Sequence, residues 1–390
     1  MNDDVPAVVS ESVGVIEVAL LFLRLGVTAF GGPAAHIAMM ENEVVRRRRW
    51  VSPERFLDMM GAASLIPGPS SSELAIFIGY EQAGILGLLV AGVCFILPAA
   101  LMTTAIAWAY VRFGSLPHVG DVLYGIKPVV IAIVVQALWG LAPKAIKRSR
   151  WLVLLGGLAT LAAMVKVDAL AVLVGAGIVS AVRHGASAIG REGSGKRWFA
   201  LGPALATPAA ASACSIGLFA LFSTFLKLGA VVFGSGYVLV AFLRADLVEH
   251  LHWMTESQLI DAVAIGQVTP GPVFTTATFI GYVLASLPGA LVATIAIFLP
   301  GFVFVAAVRP AIARVRRSGV ASAFLDGVNV ASLALMAVVT VRLGGSALVD
   351  PITTILAAAC ALLLVRFKVN STWLIAGGAL IGVAARGSGF

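Results

Sequence analysis

Of 390 residues, 60% are apolar and only 12% are charged, against roughly 45–50% and about 25% in soluble globular proteins. That balance excludes a soluble enzyme, and unbroken apolar runs such as 88–109 exclude an alternating outer-membrane β-barrel. The net charge of +8, from 27 Lys+Arg against 19 Asp+Glu, fits basic loops kept on the cytoplasmic side of a membrane and not a nucleic-acid partner.

The chain opens with Asp3 and Asp4 and lacks the basic stretch of a cleaved signal peptide. Six apolar segments follow, at roughly 13–33, 57–80, 84–111, 120–142, 151–165 and 167–182. A polar linker, 184–209, is richest in glycine and charge over His184–Arg197. Six more segments lie at roughly 212–236, 259–283, 287–308, 324–341, 351–365 and 372–386. The fifth and sixth of each half are short for full spans, which need about 20 residues, and read as a tilted hairpin. Glycine, 41 residues in all, suits closely packed membrane helices. Cys94, Cys214 and Cys360 lack metal spacing and read as small buried apolar residues.

The two sets of six are copies. Phe22-Leu23-Arg24-Leu25-Gly26 recurs 203 residues downstream as Phe225-Leu226-Lys227-Leu228-Gly229. Phe30-Gly31 returns as Phe233-Gly234, Trp50 as Trp253, Asp58 as Asp261 and Pro67-Gly68-Pro69 as Pro270-Gly271-Pro272. One deletion later, Phe77-Ile78-Gly79-Tyr80 matches Phe279-Ile280-Gly281-Tyr282, and Leu97-Pro98 matches Leu299-Pro300. The domains therefore read as a first repeat, 1–183, the linker, 184–209, and a second repeat, 210–390.

The second segment of each half is interrupted by Pro-Gly-Pro. Two prolines around a glycine break a helix, and irregular backbone at membrane depth survives only inside protein or beside a wet cavity. Loop charges choose between a broken span and a re-entrant hairpin. If the segment is re-entrant, five basic loops share one side: Arg46–Arg49, Lys144 to Arg150, the linker, Arg309 to Arg317, and Arg366 with Lys368. The acidic N-terminus and the Asp246, Glu249 and Glu256 loop fall on the other. Each half then has about five spans, an odd number, so the second half is inverted. Arg46–Arg49 align with Glu249, His250, Leu251 and His252, as a loop that changed sides should. The expectation is an all-α polytopic membrane protein of two inverted-topology repeats. Each repeat has about five spans plus a re-entrant helical hairpin, with both termini extracytoplasmic and the linker cytoplasmic.

The run Phe30-Gly31-Gly32-Pro33-Ala34-Ala35-His36-Ile37, then Arg46–Trp50, resembles the chromate ion transporter family of the long ChrA type. So do Pro67-Gly68-Pro69, Phe233-Gly234-Ser235-Gly236-Tyr237 and Gly266-Gln267-Val268-Thr269-Pro270-Gly271-Pro272-Val273-Phe274. The likeness covers most of the chain between 20 and 340. Many members carry an amide before the first Pro-Gly-Pro, where this chain has Ser64; Gln267 retains it in the second half. The resemblance implies proton-driven chromate export across the inner membrane, and hence chromate resistance.

A carrier of a tetrahedral dianion must replace its hydration by fixed donors. Helix N-termini provide amide hydrogens and about half a positive charge. The residues at each break are Gly68, Ser70, Ser71 and Ser72, and Gln267, Gly271, Thr275 and Thr276; the hydroxyls either face an anion or simply cap the half-helix. Arg24 and Lys227, equivalent cations within the first segments, read as anion-attracting groups or as members of ion pairs. Glu73 is a proton-coupling candidate, with pairing to Arg24 as the alternative. His36 is a second candidate, set against a surface histidine at the interface. Asp58 and Asp261 read as helix caps, and Lys127 as a vestibule or surface cation. No phosphate-binding loop, metal-spaced cluster or nucleophile elbow is present, so no enzyme, cofactor or metal is expected. The expected partners are chromate or a sulfate-like oxyanion, protons and the lipid bilayer, with a homodimer left open. A sulfate carrier and a passive anion channel are the alternatives.

Overall fold

All regular structure is helical among the residues described by the computed structural model, which are 13–30, 32–114, 117–146, 149–165, 167–189, 217–233, 236, 238–308, 318–367 and 369–387. Most of the linker lies outside them, as do Asp3, Asp4, Cys214, Lys166, Lys368 and the Arg309 to Arg317 loop. The first half comprises α1 (Val15–Thr28), α2 (Pro33–Glu41) with a π-helical turn (Asn42–Arg47), α3 (Pro53–Ala63), α4 (Ser70–Phe113), α5 (Pro117–Ile146), α6 (Arg150–Met164) and α7 (Ala169–Ile189). The second comprises α8 (Leu218–Val231), α9 (Val238–Leu243) with a π-helical turn (Arg244–His250), α10 (Glu256–Val268), a 3-10 turn (Val273–Thr275) and α11 (Thr276–Val308). It ends with α12 (Gly319–Ala347), α13 (Pro351–Phe367) and α14 (Ser371–Gly387).

Among the described residues, four stretches are long and apolar enough to cross a bilayer: Ser70–Phe113, Gly120–Pro143, Val273–Ala307 and Gly319–Ala347. Large apolar side chains such as Leu101, Leu154, Leu291 and Ile355 stand exposed on their outer faces and those of the shorter apolar helices, as lipid contact requires. Inside, small residues let helices touch. Gly327 of α12 lies against the Ala176 carbonyl of α7, and Gly125 of α5 against Gly378 of α14.

The duplication is visible in backbone detail. Trp50 and Trp253 each donate 2.8 Å hydrogen bonds from their amides, to Val44 and Leu247 respectively. The preceding Arg49 and His252 share left-handed φ values of 54° and 51°. The long helices α4 and α11 are each two helices joined at a sharp turn, at Ala83-Gly84 and Ala285-Ser286. Gly79 then packs directly on Gly87, and Gly281 on Gly289, with no room for a side chain between them. Such pairs, eight residues apart, meet only because the chain has turned back.

The first segment departs from its reading as one span over 13–33. α1 has 14 residues, about 21 Å, shorter than the roughly 30 Å hydrocarbon core. The chain reverses at 29–32, where Gly32 takes φ 80° and Pro33 opens α2. The Glu17 carboxylate then meets Arg48 at 2.9 Å, beside the start of α1. The α3–α4 segment also folds back, since Arg55 pairs with Glu81 at 3.0 Å and Gln82 donates to the Trp50 carbonyl at 3.3 Å.

The long second parts of α4 and α11 reach into opposite halves. Tyr110, near the end of α4, donates to Asp261 of α10 at 3.0 Å. Gly301, near the end of α11, packs against the Glu73 side chain.

Candidate functional site

Proline on either side forces the breaks into extended backbone, and the central glycines take left-handed φ values of 131° at Gly68 and 87° at Gly271. A break exposes backbone groups that the helix no longer satisfies. Each central glycine resolves this by crossing to the other half. Gly68 N–H donates to the Val232 carbonyl at 2.7 Å, and Gly271 N–H donates to the Ala29 carbonyl at 2.9 Å. Ala29 and Val232 are themselves equivalent, each closing the first helix of its half. The ends of α1 and α8 and the two Pro-Gly-Pro breaks therefore meet at one place.

Around that place the buried polar groups differ between halves. His36 is 1% exposed, so it is not a surface histidine. Its Nε2–H donates to the Ala29 carbonyl at 3.0 Å, and its Nδ1 lies 3.3 Å from the Ser71 hydroxyl. It thus ties the first reversal to the start of α4. Glu73 is fully buried, its carboxylate lies against Gly68, and neither oxygen has a hydrogen-bond partner. Arg24 is paired elsewhere. The Ser72 hydroxyl and the Gln267 amide nitrogen are likewise buried and unpartnered.

The hydroxyls of the second half are engaged locally. Thr275 Oγ1 donates to the Pro272 carbonyl at 2.9 Å and Thr276 Oγ1 to the Val273 carbonyl at 2.8 Å. Neither break has a side-chain cap. The Ser72 and Thr275 amides bond to the Pro69 and Pro272 carbonyls at 2.7 and 3.0 Å, so these two N–H groups are not bare. Ser70 begins α4 directly after the break.

Arg24 and Lys227 do not reach the central meeting point. Arg24 lies five residues before Ala29, about 7.5 Å along the helix. Its guanidinium is 4.0 Å from Glu43, and Lys227 meets the equivalent Asp246 at 2.9 Å. Both cations are half-exposed. A cavity of about 80 Å³ opens beside Arg24, bordered by Thr28, Asn42 and Glu43.

The aspartates expected as caps are not caps. Ser52 and Thr255 fill that role, the latter in a reciprocal capping box with Gln258. Asp261 sits inside α10, buried, with Tyr110 on one oxygen and Lys127 3.3 Å from the other. Lys127 also donates to Ser257 at 2.6 Å, so it joins α5 to α10 and is not a loose surface cation. Asp261 lies six residues after the cap, and that spacing alone could have flagged it. Its partners, more than 130 residues away in sequence, carried no local signal.

Fold and site together define a duplicated, multi-pass helical membrane protein whose interrupted helices converge at its centre. The sequence profile described as chromate transporter matches residues 16–181 and again 219–383. The chain is 35% identical over 381 residues to the chromate transport protein of Cupriavidus metallidurans, covering 95% of this chain and 92% of that one. It is 33% identical to a probable chromate transport protein of Synechococcus elongatus, covering 84% of each. It is 32% identical to the chromate transport protein of Pseudomonas aeruginosa, covering 83% of this chain and 79% of that one. The chain belongs to the chromate transporter family, a family of transporters and not of enzymes. No solved structure matches it.

Proposed function

We propose that this protein exports chromate from the cytoplasm across the inner membrane in exchange for protons, and so confers chromate resistance. The observation that carries the reading is the reciprocal pair of hydrogen bonds, Gly68 to Val232 and Gly271 to Ala29. It supports a single central site at which both breaks face the same ion, the arrangement on which alternating access depends.

In this reading the repeats, 1–183 and 210–390, are inverted. The Tyr110–Asp261 and Gly301–Glu73 contacts support it, because the second part of each long helix packs against the broken segment of the other half. The α3–α4 and α10–α11 segments are re-entrant, entering from opposite faces. The face of Arg46–Arg49 is cytoplasmic by its charge, and the face of Glu249 and Glu256 is external. Glu17 pairs with Arg48, which supports a start of α1 at the same face as Arg46–Arg49; residues 1–12 lie outside the described residues. Arg24 and Lys227 draw the anion in. Gly68 with Ser70, Ser71 and Ser72, and Gln267 with Gly271, Thr275 and Thr276, form the two walls of the site. Glu73, with His36 beside Ser71, carries the proton. An ionised, unpartnered carboxylate there is costly, so its charge state is tied to what occupies the site.

Everted vesicles with an imposed pH gradient test this. The account expects chromate to accumulate against its own gradient and the accumulation to collapse with an uncoupler. Downhill flux alone identifies a channel, and full competition by equimolar sulfate identifies a general oxyanion carrier.

A further inference from the structure

A second arrangement suited to anions lies away from the breaks, on the face where α10 begins. Arg244, in the π-helical turn after α9, and Arg342, near the end of α12, both donate to one oxygen of Glu249, at 2.6 and 2.9 Å. Arg244 also pairs with Glu256, whose other oxygen accepts from Ser346 at 2.9 Å. The second terminal nitrogen of Arg342 points to the Ala163 and Met164 carbonyls at 3.5 and 3.4 Å. His250 lies 3.6 Å from Asp246. Arg244, Glu249, His250, Arg342 and Asp168 border a cavity of about 50 Å³, more than a single water occupies. Arg244 is 7% exposed, and its Nε has no hydrogen-bond partner.

A guanidinium presents its donors in a fixed fork matched to oxyanions. Two of them converging on one carboxylate oxygen is oxyanion-binding geometry with a side chain as the occupant. Glu249 is 30% exposed at its side chain, so it has a path out toward solvent. The first half has no counterpart, since the aligned positions are Glu41 and Gly140. We propose that Arg244 and Arg342 form an oxyanion subsite at the Glu256 face, in which Glu249 holds the place that a tetrahedral dianion takes during passage. The proposal rests on the reading of the chain as an oxyanion carrier, for which this is the outer port.

The test uses the full chain in oriented proteoliposomes, with chromate offered at one face at a time. Arg342→Gln should raise the half-saturating chromate concentration at the Glu256 face at least tenfold and leave the opposite face within twofold. Glu249→Gln should lower it at least threefold at the same face, because a neutral amide competes less for the two cations. Opposite signs for these variants are the signature of a site. Changes of the same sign, or equal changes at both faces, mean a purely structural ion-pair network and overturn the proposal. Should Arg342→Gln not fold, Arg342→Lys keeps the charge without the fork and should weaken the same face by a smaller factor; no change overturns the subsite. Should the unaltered chain move no chromate, the carrier reading fails, and equilibrium binding of labelled sulfate to the purified chain decides the subsite. Tighter binding in Glu249→Gln and weaker binding in Arg342→Gln then support it, and unchanged binding removes it.

Discussion

The Gly68 amide and the Val232 carbonyl, 164 residues apart in sequence, meet at 2.7 Å. Their counterparts, Gly271 and Ala29, meet at 2.9 Å. Each repeat thus completes the broken backbone of the other. Neither central glycine amide keeps this partner without the other half of the chain.

Replacing either central glycine should abolish transport. Left-handed φ at a residue with a side chain costs on the order of 1–3 kcal/mol. A Cβ at Gly271 would also stand 2.8 Å from Ala99 Cβ, and one at Gly68 would run into the Glu73 carboxylate. Vesicle uptake of chromate, normalised to protein level, should fall below a tenth in Gly68→Leu and Gly271→Leu. Uptake near the original level in either would show that the break tolerates crowding.

Glu73→Gln should separate stability from coupling. The carboxylate has no partner to lose, and an amide of the same shape removes a potential buried charge. The melting temperature in detergent should hold or rise, while flux should stop responding to an imposed pH gradient. Flux that still follows the gradient would place the proton elsewhere.

Arg24→Ala should abolish transport with little effect on stability, because the Glu43 carboxylate keeps Arg47 and Arg48 as partners. Lys227→Ala should abolish transport and also lower stability, because it removes both hydrogen bonds to the buried Asp246 carboxylate. Arg46→Ala, whose pair with Glu41 is exposed, should transport nearly normally. Full activity in either of the first two would leave them as hairpin ion pairs only.

Asp261→Ala should destabilise the protein by about 3–5 kcal/mol, since it strands a largely buried Lys127. Adding Lys127→Met should restore most of that loss. Thermal unfolding of the two single variants and the double variant measures the coupling. Additive losses would mean that the two groups do not interact.

The repeat and its breaks were legible because both are local. A recurring string needs no partner to be recognised, and Pro-Gly-Pro within an apolar run interrupts a helix wherever it sits. The reversal at Gly32-Pro33 carried the same kind of signal. It was hidden by its place near the end of an apolar run, where a proline reads as the boundary of a span. Asp261 was misread because the apolar pattern starts several residues after the helix does; Thr255 and Gln258, polar and outside that pattern, mark the true start. The partners of His36, Lys127 and Arg342 depend on tertiary packing, which residue spacing does not encode.

Opposed entry of the two halves can be read directly by thiol labelling of a chain freed of Cys94, Cys214 and Cys360. Ser52 and Thr255 are equivalent, exposed helix caps, so each is changed to cysteine in turn and treated with a membrane-impermeant reagent. The account predicts that position 255 reacts in intact cells and position 52 only in everted vesicles. Reaction of both from the same side would contradict it.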